Sequence, residues 1–399
     1  MSPPDATVGA AAGLRERLKR LGASGVSRSP RPAPAPLPAA TPVGGDGIEV
    51  IRARFGLTHR PGFAEMGECA DALTGSGEGI EPSATLWLDT ETTGLAGGTG
   101  TYVFLVGLGS LDGATFTVEQ FLLRRLSAEG RFLSMLQARL ARTRHLVTFN
   151  GQRFDWPLLE ARFILTRLRP LAIDLHTDLI HSARRLWHRV LGTHRLSALE
   201  AEVLGAPRSD DIPGWLIPQV YVQYLRTADR TSLEPILAHN RADLLALLGL
   251  HAHVVRVLQD PDRAGGPIDW EGAGVLLART GDHRRAAECF ERALVGPFDG
   301  RDRWRVLRRC ARQYRSIGDD GRARRLWEEA ARVTRDDGRY GSQILMEVSR
   351  VRERAGDLAG ARRAADEALR LAGGACPTGL IDRLRRRAER LGRAAPSYG

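Results

Sequence analysis

The sequence predicts an α/β protein, in which a mixed sheet covered by helices is followed by a C-terminal α-helical repeat. Three observations carry that prediction. The apolar run Leu86-Trp87-Leu88 ends on two carboxylates one residue apart, Asp89 and Glu91. Downstream, three hairpin-like strand signals give way to strands that alternate with helical periodicity. After Pro267 the pattern becomes wholly helical and repeats.

Residues 1–46 form the first segment. Leu14, Leu18 and Leu21 share one face of a short basic helix, and the Ser/Pro/Ala tract from Arg28 to Gly45 has too little apolar surface to pack, so it reads as a flexible linker. A strand is expected over Ile48–Phe55, within an otherwise ambiguous stretch reaching residue 83. From Thr85 the signals sharpen: a strand ends at Asp89, and Thr101–Leu111 and Thr115–Leu123 read as the next two strands. Glu129–Arg142 has helical periodicity, His145–Phe149 is a short buried strand, and Phe154–Leu168 is helical again. Pro170–Leu175 reads as a fifth strand, followed by helices over Leu179–Trp187 and Leu196–Leu204. A Pro- and Asp-rich loop, Pro207–Pro218, leads into a last long helix over Leu233–Leu258. These elements define a domain over 47–260.

From 267 to 393, Gly281-Asp282, Gly318-Asp319 and Gly356-Asp357 each separate two helical stretches, a period of a little under forty residues. The helices behind them cover Ala286–Leu294, Ala323–Ala331 and Ala361–Leu369. Small residues at a recurring turn mark a helix-pair solenoid, which resembles tetratricopeptide repeats in an imperfect form.

Composition narrows the function classes. The 399 residues carry a net charge of +11, which invites a polyanionic partner. Lys19 is the only lysine, however, and a GC-rich coding bias inflates Arg without a functional demand. Cys69, Cys289, Cys310 and Cys376 form no Cys-x-x-Cys pair, so structural zinc and a disulfide framework are not expected. No secretory leader is apparent, and no segment is expected to span a membrane, which together with reduced thiols points to the cytoplasm.

Alternation along a strand turns Asp89 and Glu91 to the same side, where their charges repel unless a cation joins them. Oxygen-only ligands suit Mg²⁺ or Mn²⁺. Two further acids stand in suggestive settings. Asp155 lies at a strand-to-helix junction, in Asn150-Gly151-Gln152-Arg153-Phe154-Asp155, as a helix cap or as a ligand facing Asp89. Asp243 shares a helical face with His239, as a paired acid or as a further ligand. Other candidates read as structural. His176, His181, His188 and His194 lack His-Glu-x-x-His spacing. Asp174 and Asp178 suit strand-end and capping roles, Arg153 a solvated one. Asp210 and Asp211 receive no catalytic role.

Taken in order, Asp-x-Glu at a strand end, Asn-x-x-x-Phe-Asp at a strand-to-helix junction and His-x-x-x-Asp on a final helix resemble the DEDD exonuclease superfamily, whose fold is ribonuclease H-like. Thr101-Tyr102-Val103-Phe104-Leu105-Val106-Gly107-Leu108, Asp174-Leu175, Asp210-Asp211-Ile212-Pro213-Gly214 and His239-Asn240 are similar to the bacterial YprB-like branch of that fold. The likeness covers roughly Ile48 to Leu258. It implies a metal-dependent nuclease, a 3′–5′ exonuclease on single-stranded DNA or RNA. Asp89, Glu91, Asp155 and Asp243 would bind two divalent cations about 4 Å apart in a two-metal mechanism, with His239 as general base. Thr92, Thr93, Gly94, Leu95, Asn150 and Phe154 would contact the terminal nucleotide, and the helical repeats are open to a protein partner. One departure concerns the base. The main subtypes place a Tyr four residues, or a His five residues, before the last Asp, whereas His239 stands four before Asp243. A non-catalytic adaptor with a vestigial fold, and a ribonuclease H-type endonuclease, are the alternatives; the intact set of four acids argues against the first.

Overall fold

The computed structural model describes residues 41–43, 47–56, 58–61, 64–74, 82–94, 100–296, 300–373 and 376–394. The expected helix at Leu14, Leu18 and Leu21 lies outside the described residues. Within the expected linker, Thr41–Val43 instead forms an edge strand, β1, paired antiparallel with β2 (Ile48–Phe55). With β3 (Thr85–Thr92), β4 (Val103–Asp112), β5 (Thr115–Leu123), β6 (His145–Thr148) and β7 (Leu175–Asp178) it makes a seven-stranded sheet in the order β1-β2-β5-β4-β3-β6-β7. Pairing is antiparallel from β1 to β3, whereas β3, β6 and β7 run parallel. Parallel neighbours need a crossover, supplied here by α2 (Glu129–Leu140) and α3 (Asp155–Leu165). The seventh strand starts where the expected Pro170–Leu175 strand ends, because its neighbour β6 begins at His145, which pairs with Leu175.

α1 (Met66–Thr74) occupies the region the sequence left ambiguous. After β7 come α4 (Leu179–Leu186), α5 (His188–Leu191), α6 (Leu196–Glu202), α7 (Ile217–Thr227) and α8 (Glu234–Gln259). α7 is unannounced in the sequence: Pro218, read as the end of a loop, stands in its first turn, where the missing N–H costs nothing.

Strand alternation sorts the core onto two faces. Leu86 and Leu88 of β3 join the cluster under α2, α3 and α7, which includes Phe132, Leu159 and Tyr221. Trp87 points the other way, into a cluster with Leu244 and Leu248 of α8. Asp89 and Glu91 share the parity of Trp87, so β3 delivers both acids to the α8 side. The stretch Arg230–Gln259 does reach the length and mean hydropathy (1.2) of a membrane span, contrary to expectation, but 72% of that window is buried inside the protein. It is the central core helix of this face.

The C-terminal helices are α9 (Trp270–Arg279), α10 (His283–Val295), α11 (Gly300–Ser316), α12 (Asp320–Val333), α13 (Gly338–Arg354), α14 (Leu358–Ala372) and α15 (Thr378–Ala394). At three turns the local structure repeats. Gly281, Gly318 and Gly356 have φ of +84°, +82° and +81°, a left-handed conformation open to glycine at little cost. The next residue caps the following helix: Asp282, Asp319 and Asp357 accept from the amides of Arg285, Arg322 and Gly360. Leu277, Phe290 and Trp327 of these helices belong to the same apolar cluster as Trp87 and Leu244. Cys289 and Cys310 are buried within it.

Candidate active site

β3 ends at the mouth of the sheet, and Asp89, Asp155 and Asp243 are each held there by a donor from a different element. Asp89 pairs across the ladder with Gly107 of β4, which in turn faces Gln120 of β5. Because Gly107 has no side chain, Asn240 of α8 lies over the sheet at that point: a Cβ on Gly107 would collide with the Asn240 amide and stand 2.8 Å from Leu244 Cδ1. Asn240, fully buried, accepts from Gln120 Nε2 at 2.8 Å through Oδ1 and donates through Nδ2 to Asp89 Oδ2, also at 2.8 Å. The first bond fixes the amide so that its NH₂ faces the carboxylate.

Asp155 is the first residue of α3, and its side chain does not cap the helix; Thr90 of β3 donates to it. The turn before it is built for display. Asn150 adopts a left-handed φ of 66°, tolerated by Asn, and Asp178 accepts from the amides of Asn150 (2.6 Å), Gln152 (3.1 Å) and Ile180 (3.1 Å). One carboxylate thus ties the Asn150–Gln152 turn to the start of α4, which is the expected capping role of Asp178.

Asp243 and His239 sit one turn apart on α8. Arg208, from the loop after α6, donates to Asp243 and lies 2.7 Å from Glu200 and 3.1 Å from Asp211. Burial opposes its charge, but Asp243 and Glu200 hold the guanidinium firmly protonated. His239 Nδ1 is 2.6 Å from Asp211 Oδ1 and 3.3 Å from Arg208 Nη1; the carboxylate is the nearer of the two, and the proton is assigned to Nδ1 on that ground. Nε2 then faces inward, 3.6 Å from Asp243 Oδ2 and 3.8 Å from Glu91 Oε1.

The electrostatics mark these acids as one group. Burial, then Asp243, Glu91 and Asp155, push the Asp89 carboxyl well above the usual range, with the Asn240 bond opposing. Glu91 is raised likewise by burial and then by Asp243, Asp155 and Asp211. Asp155 is pushed up to about 6, chiefly by burial. Among the described residues neither Asp89 nor Asp155 has a cationic partner. The donor set is all oxygen and mutually repelling, which is the chemistry a hard divalent cation relieves. In the present side-chain arrangement no three His, Cys, Asp or Glu groups among the described residues stand ready around a metal. Thr90, Asn240 and Arg208 each hold one oxygen of Asp155, Asp89 and Asp243; at Asp243 the guanidinium takes Oδ1 and leaves Oδ2 for a cation.

The RNase_H superfamily model matches residues 86–255. The uncharacterized protein YprB of Bacillus subtilis (strain 168) is 30% identical over 303 residues, 72% of each chain. This chain belongs to the ribonuclease H superfamily. Among solved structures, the family B DNA polymerase of the hyperthermophilic archaeon Pyrobaculum calidifontis overlaps 58% of this chain and 28% of its own at 15% identity, with a TM-score of 0.35, too slight a likeness to argue from. The ribonuclease H-like fold explains the placement of the site: the antiparallel β3–β4–β5 hairpins carry the first acids, β6 and its crossover helix the third, and the final helix the fourth.

Sequence reasoning therefore finds Asp89, Glu91, Asp155, Asp243 and His239 in one neighbourhood. Thr92, Thr93 and Gly94 form the strand end beside them: Thr92 Oγ1 donates to the Gly94 carbonyl (2.9 Å) and Thr93 Oγ1 accepts from the Tyr102 amide (2.9 Å). Leu95 lies outside the described residues. Asn150 is committed to the turn, whereas the Phe154 ring is 54% exposed next to Asp155. Missed were Arg208, Glu200 and the partnership of Asp211 with His239. Only Asp210-Asp211 gave a signal, and as a loop acid it looked inert. Asn240 was visible in a motif, but its contact with Asp89 was not.

Proposed function

We propose that this chain is a metal-dependent nuclease, a 3′–5′ exonuclease on single-stranded DNA or RNA. The observation that carries the reading is the half-buried group of Asp89, Glu91, Asp155 and Asp243, in which the first three have their proton affinity raised by burial and by neighbouring carboxylates, at a sheet end open to Phe154 and the Thr92–Gly94 strand end. These four carboxylates would hold divalent cations, Mg²⁺ or Mn²⁺. Such cations, when bound, neutralise a phosphodiester and favour hydrolysis.

The chain's own residues do the rest. Asn240 holds one oxygen of Asp89 in place. Thr90 does the same for Asp155. Asp211 orients His239 through Nδ1, leaving Nε2 able to take a proton from an attacking water on the acidic side of the site. The exposed ring of Phe154 offers a stacking face to a terminal base.

A specific observation favours a second reading. Arg208 neutralises Asp243 without a metal, as expected of a non-catalytic adaptor in which a guanidinium has replaced the cation. Digestion separates them. We would incubate 5′-labelled linear, 3′-blocked and circular substrates with Mg²⁺ or Mn²⁺, beside an Asp89→Ala control. Stepwise loss from a free 3′ end, absent in the control, supports the exonuclease; cutting of circles supports an endonuclease; no cleavage with either metal supports the adaptor.

A further inference from the structure

Away from the acids, a cavity of about 390 Å³ opens where α4 and α5 meet α9 and α11. Its wall is built from Arg184, Arg185, Arg189, Arg279, Arg305 and Arg309, with Asp269 and Glu271 the acids among them. The junction is tight. The Asp269 amide donates to the Leu186 carbonyl at 2.9 Å, and a Cβ on Gly272 would collide with the Arg185 carbonyl, so only a glycine lets the first turn of α9 lie against the end of α4.

The two acids act as organisers. Glu271, 3% exposed, accepts from Arg189 Nη1 (2.6 Å), Arg305 Nε (3.0 Å) and Nη2 (3.1 Å), and Arg309 Nη1 (2.8 Å). Asp269 accepts from Arg189 and caps α9 through the Gly272 amide. Both carboxylates are thereby used up. Among the described residues no carboxylate pairs with Arg184, Arg185 or Arg279. Arg185 makes one bond, to the His181 carbonyl, and Arg184 a long one to His194. Six guanidinium groups against these two carboxylates and Asp302, which accepts from Arg305 Nη1 (2.8 Å), leave a surplus of three positive charges in one concavity.

We propose that this cavity binds backbone phosphates of the nucleic-acid strand whose end enters the acidic site. The guanidinium fork matches phosphate oxygens two at a time. The lining offers no ring on which a base could stack, and Val275 is its only apolar side chain, so the strand is gripped by its backbone regardless of sequence. One helix also links the cavity to the site. Asp178, which ties down the turn before Asp155, caps the N-terminus of α4, and Arg184 and Arg185 stand at its other end, about 10 Å along the axis. Burial, and then repulsion from Arg279 and Arg309, lowers the proton affinity of Arg185, a strain that an anion would relieve. The proposal rests on the nuclease reading for the nature of the polymer, and its test is made without catalysis.

The experiment measures anisotropy of a labelled single-stranded oligonucleotide with the full chain in chelator, across a salt series. Arg184→Glu/Arg279→Glu is compared with wild type, and Arg184→Gln/Arg279→Gln guards against misfolding, which thermal melting would report. The expected result is at least tenfold weaker binding for the Glu pair. The Gln pair should lower the slope of log affinity against log salt by about 1.4, two single-strand phosphates' worth. Unchanged affinity and slope would overturn the proposal, as would failure of the wild type to bind. An acidic peptide competing as well as the oligonucleotide at equal charge would also overturn it, in favour of a protein ligand. Wild-type binding without cleavage under any metal would sink the nuclease reading and leave the cavity standing; cleavage with binding indifferent to these arginines would do the reverse.

Discussion

Asn240 Nδ2 donates to Asp89 Oδ2 at 2.8 Å across a row in which Gly107 lacks a side chain. The final helix thus touches the first acid directly, and the bond exists because the strand between them was left bare. Gln120 completes the row by fixing the amide's orientation.

Gly107→Ala should therefore displace Asn240 and cost about 1–3 kcal/mol, the usual penalty of overpacking. Urea denaturation measures it. In an Asn240→Ala background the same substitution should cost clearly less, because the amide it strikes is gone. Equal costs in both backgrounds would show that Leu244, not Asn240, fills the gap.

Asp89→Asn should stabilise the metal-free protein, and more so at high pH. Asp89 and Glu91 are raised well above the usual range and Asp155 to about 6, so the folded state keeps protons that the unfolded chain releases near pH 4. The contribution of these acids to stability then falls as pH rises from about 4 through 6 and beyond. Melting in chelator should show the variant above wild type at pH 8, with the gap narrowing at pH 5. A variant that melts lower at pH 8 would give Asp89 a structural role.

Asp243→Asn should act in the opposite sense. From crowding alone, removing any of the four charges relieves repulsion, but Asp243 is also the partner of Arg208, whose side chain is only 14% exposed. Stranding a buried guanidinium costs, and with Glu200 still 2.7 Å away a loss of about 1–3 kcal/mol is expected. Adding Arg208→Gln should recover part of it, as a double-mutant cycle by urea denaturation would reveal.

Acid should weaken the core of the α8 face. Burial pushes His251 down to about 3 and His145 to about 4, each lowered a little further by a neighbouring histidine. Both are neutral in the folded protein, with His145 between the hydroxyls of Thr85 and Thr177. The unfolded chain takes up these protons near pH 6.5, so the stability these histidines contribute is full above that pH and drains away as pH falls towards 4. His251→Leu should flatten the fall in melting temperature between pH 7 and pH 4; an unaltered slope would place the acid sensitivity elsewhere.

Much of the fold was legible because its signals are local. β2 and β5 match their expected bounds residue for residue, and β4, β6 and the Gly-Asp turns fall close to theirs, since alternation, helical period and turn chemistry are written in neighbouring residues. α7 was hidden because a proline can end a loop or begin a helix, and only its burial of Tyr221 and Tyr224 decides between them.

The sequence by itself determined which acids exist, their order, and that Asp89 and Glu91 share one side of a strand, because pleat and helix pitch fix side-chain direction within a few residues. Only the tertiary structure decided what holds each acid. Arg208 and Asp243 are 35 residues apart, Thr90 and Asp155 65, and Asn240 and Asp89 151, and no local pattern encodes such pairs. They follow from the stacking of α8 on the sheet, from the loop after α6 folding back on α8, and from the parallel pairing of β3 with β6, which leads into α3. The same packing brought arginines of α4, α5, α9 and α11 to one cavity that none of those helices contains alone.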